Sequence, residues 1–80
     1  MSTKAAYLAG LLDGRAIRLE SGAIIYENRR DEVIHTLGAY LLEFEIEFIV
    51  PNHQMIRVES DQAEKLLVIV GPYLTRLGLR

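Results

Sequence analysis

The sequence predicts an α+β domain in which three helices alternate with two β-hairpins. Its 80 residues suffice for one domain, over 1–80, with a core of modest size. Half of the residues are hydrophobic and a quarter are charged, which is typical of globular proteins. Helical and strand periodicities follow one another in the order α-β-β-α-β-β-α. Two hairpins in one domain favour a single four-stranded antiparallel sheet, covered on one face by the second and third helices.

The first helix is expected from Lys4 to Asp13, with Gly14 as its stop, and it has two faces of different size. The large face consists of Leu8, Leu11 and Leu12. The small face consists of Ala6, Ala9, Gly10 and Asp13. Because small residues let two helices approach closely, we expect the small face to form a homodimer interface on a two-fold axis. The alternative is a helix buried within a monomer.

The first hairpin is predicted as strands at 16–20 and 23–27, joined by a two-residue turn at Ser21 and Gly22. Asn28 is expected as the N-cap of the second helix. The apolar stripe of that helix comprises Val33, Ile34, Leu37, Tyr40, Leu41 and Phe44.

The second hairpin is predicted as strands at 46–50 and 55–59, and Pro51 and Asn52 are expected to end the first of them. Because 46–50 is apolar except for Glu47, either phase of this strand can face the core. The third helix is expected to begin at 60–61, where Asp61 and Glu64 have capping-box spacing, and to break at Gly71. One more short helical turn is expected within 73–79.

The composition and the net charge bear on disulfides, membrane insertion and nucleic-acid binding. The chain has no cysteine, so disulfides and thiolate metal sites are excluded. The apolar run of the first helix is too short to span a membrane and lacks the layout of a signal peptide, so we expect a cytoplasmic protein with no membrane partner. The net charge of -2 is unlike the basic surplus that nucleic-acid-binding domains usually carry.

Residues 8–16, with the sequence Leu-Ala-Gly-Leu-Leu-Asp-Gly-Arg-Ala, resemble the nine-residue signature of the LAGLIDADG homing endonucleases. The first six positions match closely, and Gly14 is a common variant at the seventh. Segments 41–48 and 64–74 are similar to the family's second helix with its third strand, and to its last helix. The resemblance covers nearly the whole chain. It implies a homing-endonuclease-like fold, dimerisation through the first helix and double-stranded DNA as a partner.

The same resemblance argues against cleavage. In the family, the eighth position of the signature is a carboxylate that binds the divalent metal, and here it is Arg15, followed by Ala16. A guanidinium can be neither a metal ligand nor a general base. Asp13 is a weak candidate for catalysis, and it becomes a Mg²⁺ ligand only if the helix end shifts. We therefore expect no bound metal, no cofactor and no catalytic residue. His35 and His53 are expected to be exposed side chains.

The DNA-binding candidates are Arg15, Arg18, Arg29, Arg30 and Arg57. Arginines can contact phosphates or guanine edges on the sheet face away from the helices. Alternatively, Arg18 and Arg57 pair with glutamates across the strands. The leading hypothesis is a homodimer that binds duplex DNA but has lost metal-dependent cleavage. The alternatives are a structural or protein-interaction module, and an active magnesium-dependent endonuclease.

Overall fold

The computed structural model describes residues 3–75 and confirms the α+β class. The elements, in chain order, are α1 (Thr3–Arg15), β1 (Ile17–Arg18), β2 (Ile24–Glu27), α2 (Asp31–Glu43), β3 (Ile49–Asn52), β4 (Met55–Val58), α3 (Ser60–Val70) and a 3₁₀ helix (Gly71–Tyr73). The four strands form one antiparallel sheet in the order β1-β2-β4-β3. The predicted order of elements is therefore confirmed.

All three helices share one side of the sheet, and the core lies between them and the strands. α1 packs against β2, α2 and α3, while α2 packs against β4. The largest fully buried side chains are Leu8, Ile24, Leu37, Leu41, Ile46, Ile56, Leu66 and Val70. α1 joins the second and third helices over the sheet, because Leu8 and Leu12 of its large face are both buried in the core.

The first hairpin has a three-residue loop in place of the predicted two-residue turn. The Leu19 N–H donates to the Ala23 carbonyl over 2.8 Å, and the Gly22 N–H donates to the Leu19 carbonyl over 2.9 Å. Gly22 has a φ of 95°, which is the left-handed position of this loop type. β1 pairs Ile17 with Ile25 and Arg18 with Ile24. One extra loop residue shifts the pairing by one, and such a shift exchanges the two faces of a strand.

The start of α2 differs from the prediction. Arg30, and not Asn28, precedes the first helical residue, and it makes no side-chain capping bond. The Asn28 side chain instead accepts a hydrogen bond from the Arg30 N–H over 2.9 Å, which is a turn of the Asx type. It also donates to the Tyr26 hydroxyl over 3.3 Å. Asn28 therefore shapes the connection ahead of the helix.

α2 ends in a Schellman motif built around a residue other than glycine. Glu45 has a φ of 60°, and its N–H donates to the Leu42 carbonyl over 3.0 Å. The next N–H, of Ile46, reaches back to the Leu41 carbonyl over 2.9 Å, as this motif requires. The reversal drops Ile46 into the core, where it is 1% exposed.

The third strand lies later in the chain than predicted, over Ile49–Asn52. Its pairing with β4 is irregular between Ile49, which faces Arg57, and Asn52, which faces Met55. The phase left open by the sequence is now assigned: Phe48 is half-buried on the helix side, while Ile49 is 52% exposed on the opposite side.

α3 begins one residue before Asp61 and has no side-chain cap, so the predicted capping box does not form. The helix ends at Val70 and passes directly into the 3₁₀ helix, which confirms the predicted break at Gly71. The remainder of the helical turn predicted within 73–79 lies partly outside the described residues.

Candidate nucleic-acid interface

α1 carries a row of small residues that faces solvent. Ala6, Gly10 and Gly14, spaced four residues apart, are all exposed, and we call them the small-residue stripe. A Cβ atom added at Gly10 or Gly14 would meet no other atom within 4 Å. Beside the stripe, the Tyr7 ring packs on Tyr40 of α2 with ring centroids 5.2 Å apart. The stripe is therefore open to an approaching backbone.

Two of the four predicted interface residues do not lie on this stripe. Ala9 is fully buried, because Ala5, Leu8, Ala9 and Leu12 have the i, i+3, i+4, i+7 spacing of a helix face turned to the core. The grouping of Ala9 with the outward face was wrong. Asp13 is half-buried, and its carboxylate accepts hydrogen bonds from the Thr75 N–H over 3.0 and 3.2 Å and from the Thr75 hydroxyl over 3.1 Å.

Three of the predicted DNA-binding arginines lie at one end of the sheet. Because β1 and β2 are antiparallel with Ile17 opposite Ile25, the chain before β1 and the chain after β2 leave the sheet at the same end. Arg15 precedes β1, and Arg29 and Arg30 follow β2; we call these three the arginine end. All three are exposed. The β3–β4 turn closes the same end, because the Asn28 N–H donates to the Gln54 carbonyl over 2.9 Å.

The arginines differ in what already neutralises them. The Arg30 Nε atom donates to the Glu32 carboxylate over 2.8 Å. Hydrogen bonding from its own backbone, and then from Arg30, lowers the pKa of Glu32, so this contribution to stability is present at neutral pH and lost as the pH falls through the range where Glu32 protonates. Within residues 3–75, the guanidinium groups of Arg15 and Arg29 have no hydrogen bond or ion pair and can accept an anionic ligand.

The other two predicted arginines do not join this group. Arg18 pairs with the buried Ile24, so it lies on the helix side of the sheet, and its Nε atom donates to the Gly22 carbonyl over 3.3 Å. Its predicted outward orientation was wrong because the extra loop residue changed its partner. Arg57 lies on the outer side but forms an ion pair with Glu59, two residues further along the same chain segment, and not with a glutamate across the strands as the alternative prediction had it.

The side of the sheet that faces away from the helices is more apolar than expected, and we call it the open face. It carries Ile17, Ile25, Glu27, Ile49, Met55 and Arg57. Ile17 is 58% exposed and Ile49 is 52% exposed. The sequence did not reveal this property, because the side on which Ile17 lies depends on the length of the hairpin loop.

The arginine end does not fit a divalent cation. Arg15 brings a positive charge to the end of α1, and the carboxylate of Asp13 already accepts three hydrogen bonds from Thr75. Among residues 3–75 there is no group of three or more His, Cys, Asp or Glu side chains that could hold a metal ion. No helix within that part of the chain is both long and apolar enough to cross a membrane.

The sequence matches no family model, and the chain matches neither a curated protein nor a solved structure. The LAGLIDADG resemblance therefore remains a prediction from the sequence.

Proposed function

We propose that this protein is a homodimeric relative of the LAGLIDADG homing endonucleases that binds duplex DNA without cutting it. The observation that carries the proposal is the placement of Arg15 and Arg29 at one end of the sheet, with guanidiniums that no other group of residues 3–75 pairs, and with Arg15 at the end of the helix that carries the exposed stripe. Phosphate neutralisation by arginine supplies much of the affinity of duplex binding. Dimerisation would double the number of arginines that one protein molecule offers to the phosphates, which matters in a chain with a net charge of -2.

The stripe supports dimerisation through α1. Ala6, Gly10 and Gly14 let a second helix approach to backbone distance, and two copies related by a two-fold axis present the same residues to each other. In such a dimer Arg15, at the end of α1, lies beside the axis in both copies. A two-fold dimer also favours palindromic or nearly palindromic sites.

The loss of cleavage follows from Arg15. The guanidinium stays protonated, so it neither binds a metal nor activates water. It also interacts favourably with the negative C-terminal end of the helix dipole, where a carboxylate would be unfavourable without a cation. An active magnesium-dependent nuclease would need Asp13 to release Thr75 and bind the metal; cleavage that Asp13→Asn abolishes would establish that alternative.

A second candidate function is a protein-interaction module that uses the open face. The exposed Ile17 and Ile49 support it, because exposed apolar patches often mark protein contacts and are not suited to phosphates. Replacing both residues with Thr removes apolar surface and leaves the net charge unchanged. If this candidate holds, the double variant loses its protein partner, and duplex DNA is not retained at any salt concentration.

The proposal is tested by selection from a pool of random duplex sites in low salt with Mg²⁺ present, followed by electrophoresis of the bound DNA. We expect enrichment of a nearly palindromic site and intact DNA. Cut products would show an active nuclease. No enrichment at all would contradict DNA binding and leave the interaction module as the better account.

A further inference from the structure

A groove of about 370 Å³ lies between α2 and the second hairpin, and no residue of α1 lines it. Its lining comprises Ile34, His35, Gly38, Ala39, Leu42, Phe48, Val50, His53 and Ile56. The volume falls within the range of about 300 to 1,000 Å³ that small-molecule sites occupy. The groove opens to solvent along Leu42, which is 67% exposed, and Val50, which is 51% exposed.

The groove exists because small residues of α2 face the hairpin. A Cβ atom added at Gly38 would lie 3.3 Å from Cζ of the Phe48 ring, so the ring rests almost directly on the helix backbone. One residue further on, Ala39 is exposed and fills little of the space. α2 packs on β4 and does not cover the neighbouring edge strand β3. The Val50 side chain of β3 is therefore exposed on one side of the groove.

The polar groups of the groove are two imidazoles. His35 lies on α2 and His53 lies in the β3–β4 turn, and within residues 3–75 neither side chain has a hydrogen bond or ion pair. None of the nine lining residues is acidic. Asp31 and Glu32, in the first turn of α2, do not line it.

Two other clefts of the described chain are lined by carboxylates. The cleft beside the start of α3 is lined by three carboxylates, those of Glu47, Glu59 and Asp61. The cleft beside the end of α2 is lined by the carboxylates of Glu45 and Glu47. The chain has a net charge of -2, but an anion with an apolar body that binds in this groove would face two imidazoles and no carboxylate.

We propose that this groove binds a small monocarboxylic acid with an apolar body. The hydrocarbon part lies against Leu42, Phe48 and Val50, and the carboxylate accepts hydrogen bonds from the imidazoles of His35 and His53. Burial of apolar surface supplies the affinity, and the charge-assisted hydrogen bonds select the anion over a neutral analogue. This site is independent of DNA binding.

The test is an NMR titration of the isotopically labelled full chain at one fixed pH. The probes are octanoate, octanamide and octylamine, which share an alkyl chain and differ in charge. We expect octanoate to shift the signals of Ala39, Leu42 and Val50 saturably. We expect its affinity to exceed that of octanamide by about tenfold, the effect of one charge-assisted hydrogen bond.

Variants separate the groove from general apolar binding. Ala39→Trp fills the groove from an exposed helix position, so it should abolish octanoate binding, whereas Glu64→Trp on the exposed side of α3 should leave it unchanged. His35→Gln with His53→Gln should bring the octanoate affinity down to that of octanamide. Equal binding of octylamine, shifts centred on Ile17 and Ile49, or the absence of saturable shifts would each overturn the proposal.

Discussion

Glu45 shows how a single residue carries strain in this fold. Its left-handed backbone, with a φ of 60°, lets α2 reverse and places Ile46 in the core. Side chains with a Cβ atom disfavour this conformation by about 1–2 kcal/mol, whereas glycine adopts it freely. The backbone carbonyl of Glu45 accepts a hydrogen bond from Lys65 Nζ over 2.8 Å. That carbonyl does not depend on the side chain.

We therefore expect Glu45→Gly to raise the free energy of unfolding by about 1 kcal/mol. The measurement is urea denaturation at one fixed protein concentration, because dimerisation would make the apparent stability depend on concentration. Glu64→Gly, in the exposed middle of α3, is the control and should lower the stability by about 1 kcal/mol. Destabilisation by both substitutions would contradict the strained conformation of Glu45.

In the first hairpin, one extra loop residue determines which strand residues face solvent. Gly22 has a left-handed backbone, and a Cβ atom there would lie 3.2 Å from Cβ of Ser60, at the start of α3. We expect Gly22→Ala to lower the free energy of unfolding by about 1 kcal/mol or more. Gly71→Ala should instead be neutral or stabilising in denaturation, because Gly71 has a helical backbone with a φ of -49° and its added Cβ meets no other atom within 4 Å. Equal effects of the two substitutions would exclude the three-residue loop.

A substitution in α1 can distinguish the stability of the protomer from its association into a dimer. Gly10 is exposed within the helix, so Gly10→Leu clashes with nothing in its own chain and gains about 0.8 kcal/mol of helix propensity. In the proposed dimer the same side chain blocks the close approach of the second helix. We expect a folded monomer by analytical ultracentrifugation, with Glu64→Leu on α3 remaining dimeric. A dimer of unchanged affinity for Gly10→Leu would place the interface elsewhere.

The order of elements across the whole molecule was predictable because each helix and hairpin has its own hydrophobic period. The register within the hairpins was less so. Ser21-Gly22 and Glu20-Ser21-Gly22 both satisfy turn preferences, so the sequence alone did not decide the loop length or the side of Arg18. Segment 46–50 has apolar residues in both phases, with Glu47 as its one polar residue, so the sequence did not decide the phase or the later start of β3. The size contrast on α1 led to the misplacement of Ala9, because a small residue beside two other helices can be core.

The candidate site was predictable in part for a related reason. Arg15, Arg29 and Arg30 lie in connections whose position follows from the order of elements, and the structure brings them to one end of the sheet. Arg18 and Arg57 lie within strands, where orientation depends on register and pairing. The apolar character of the open face depends on the same register, so it became visible only in three dimensions.

In the proposed dimer the arginine ends of both copies hold duplex DNA. The salt dependence of the affinity for DNA tests this most directly. If Arg15 and Arg29 of both copies contact phosphates, the logarithm of the association constant should fall against that of salt concentration with a slope of about -3.6, from about 0.9 per contact. Arg15→Gln with Arg29→Gln should remove most of that slope, whereas the charge-matched Lys4→Gln with Lys65→Gln should not. An affinity independent of salt, or equal slopes for the two double variants, would contradict the account.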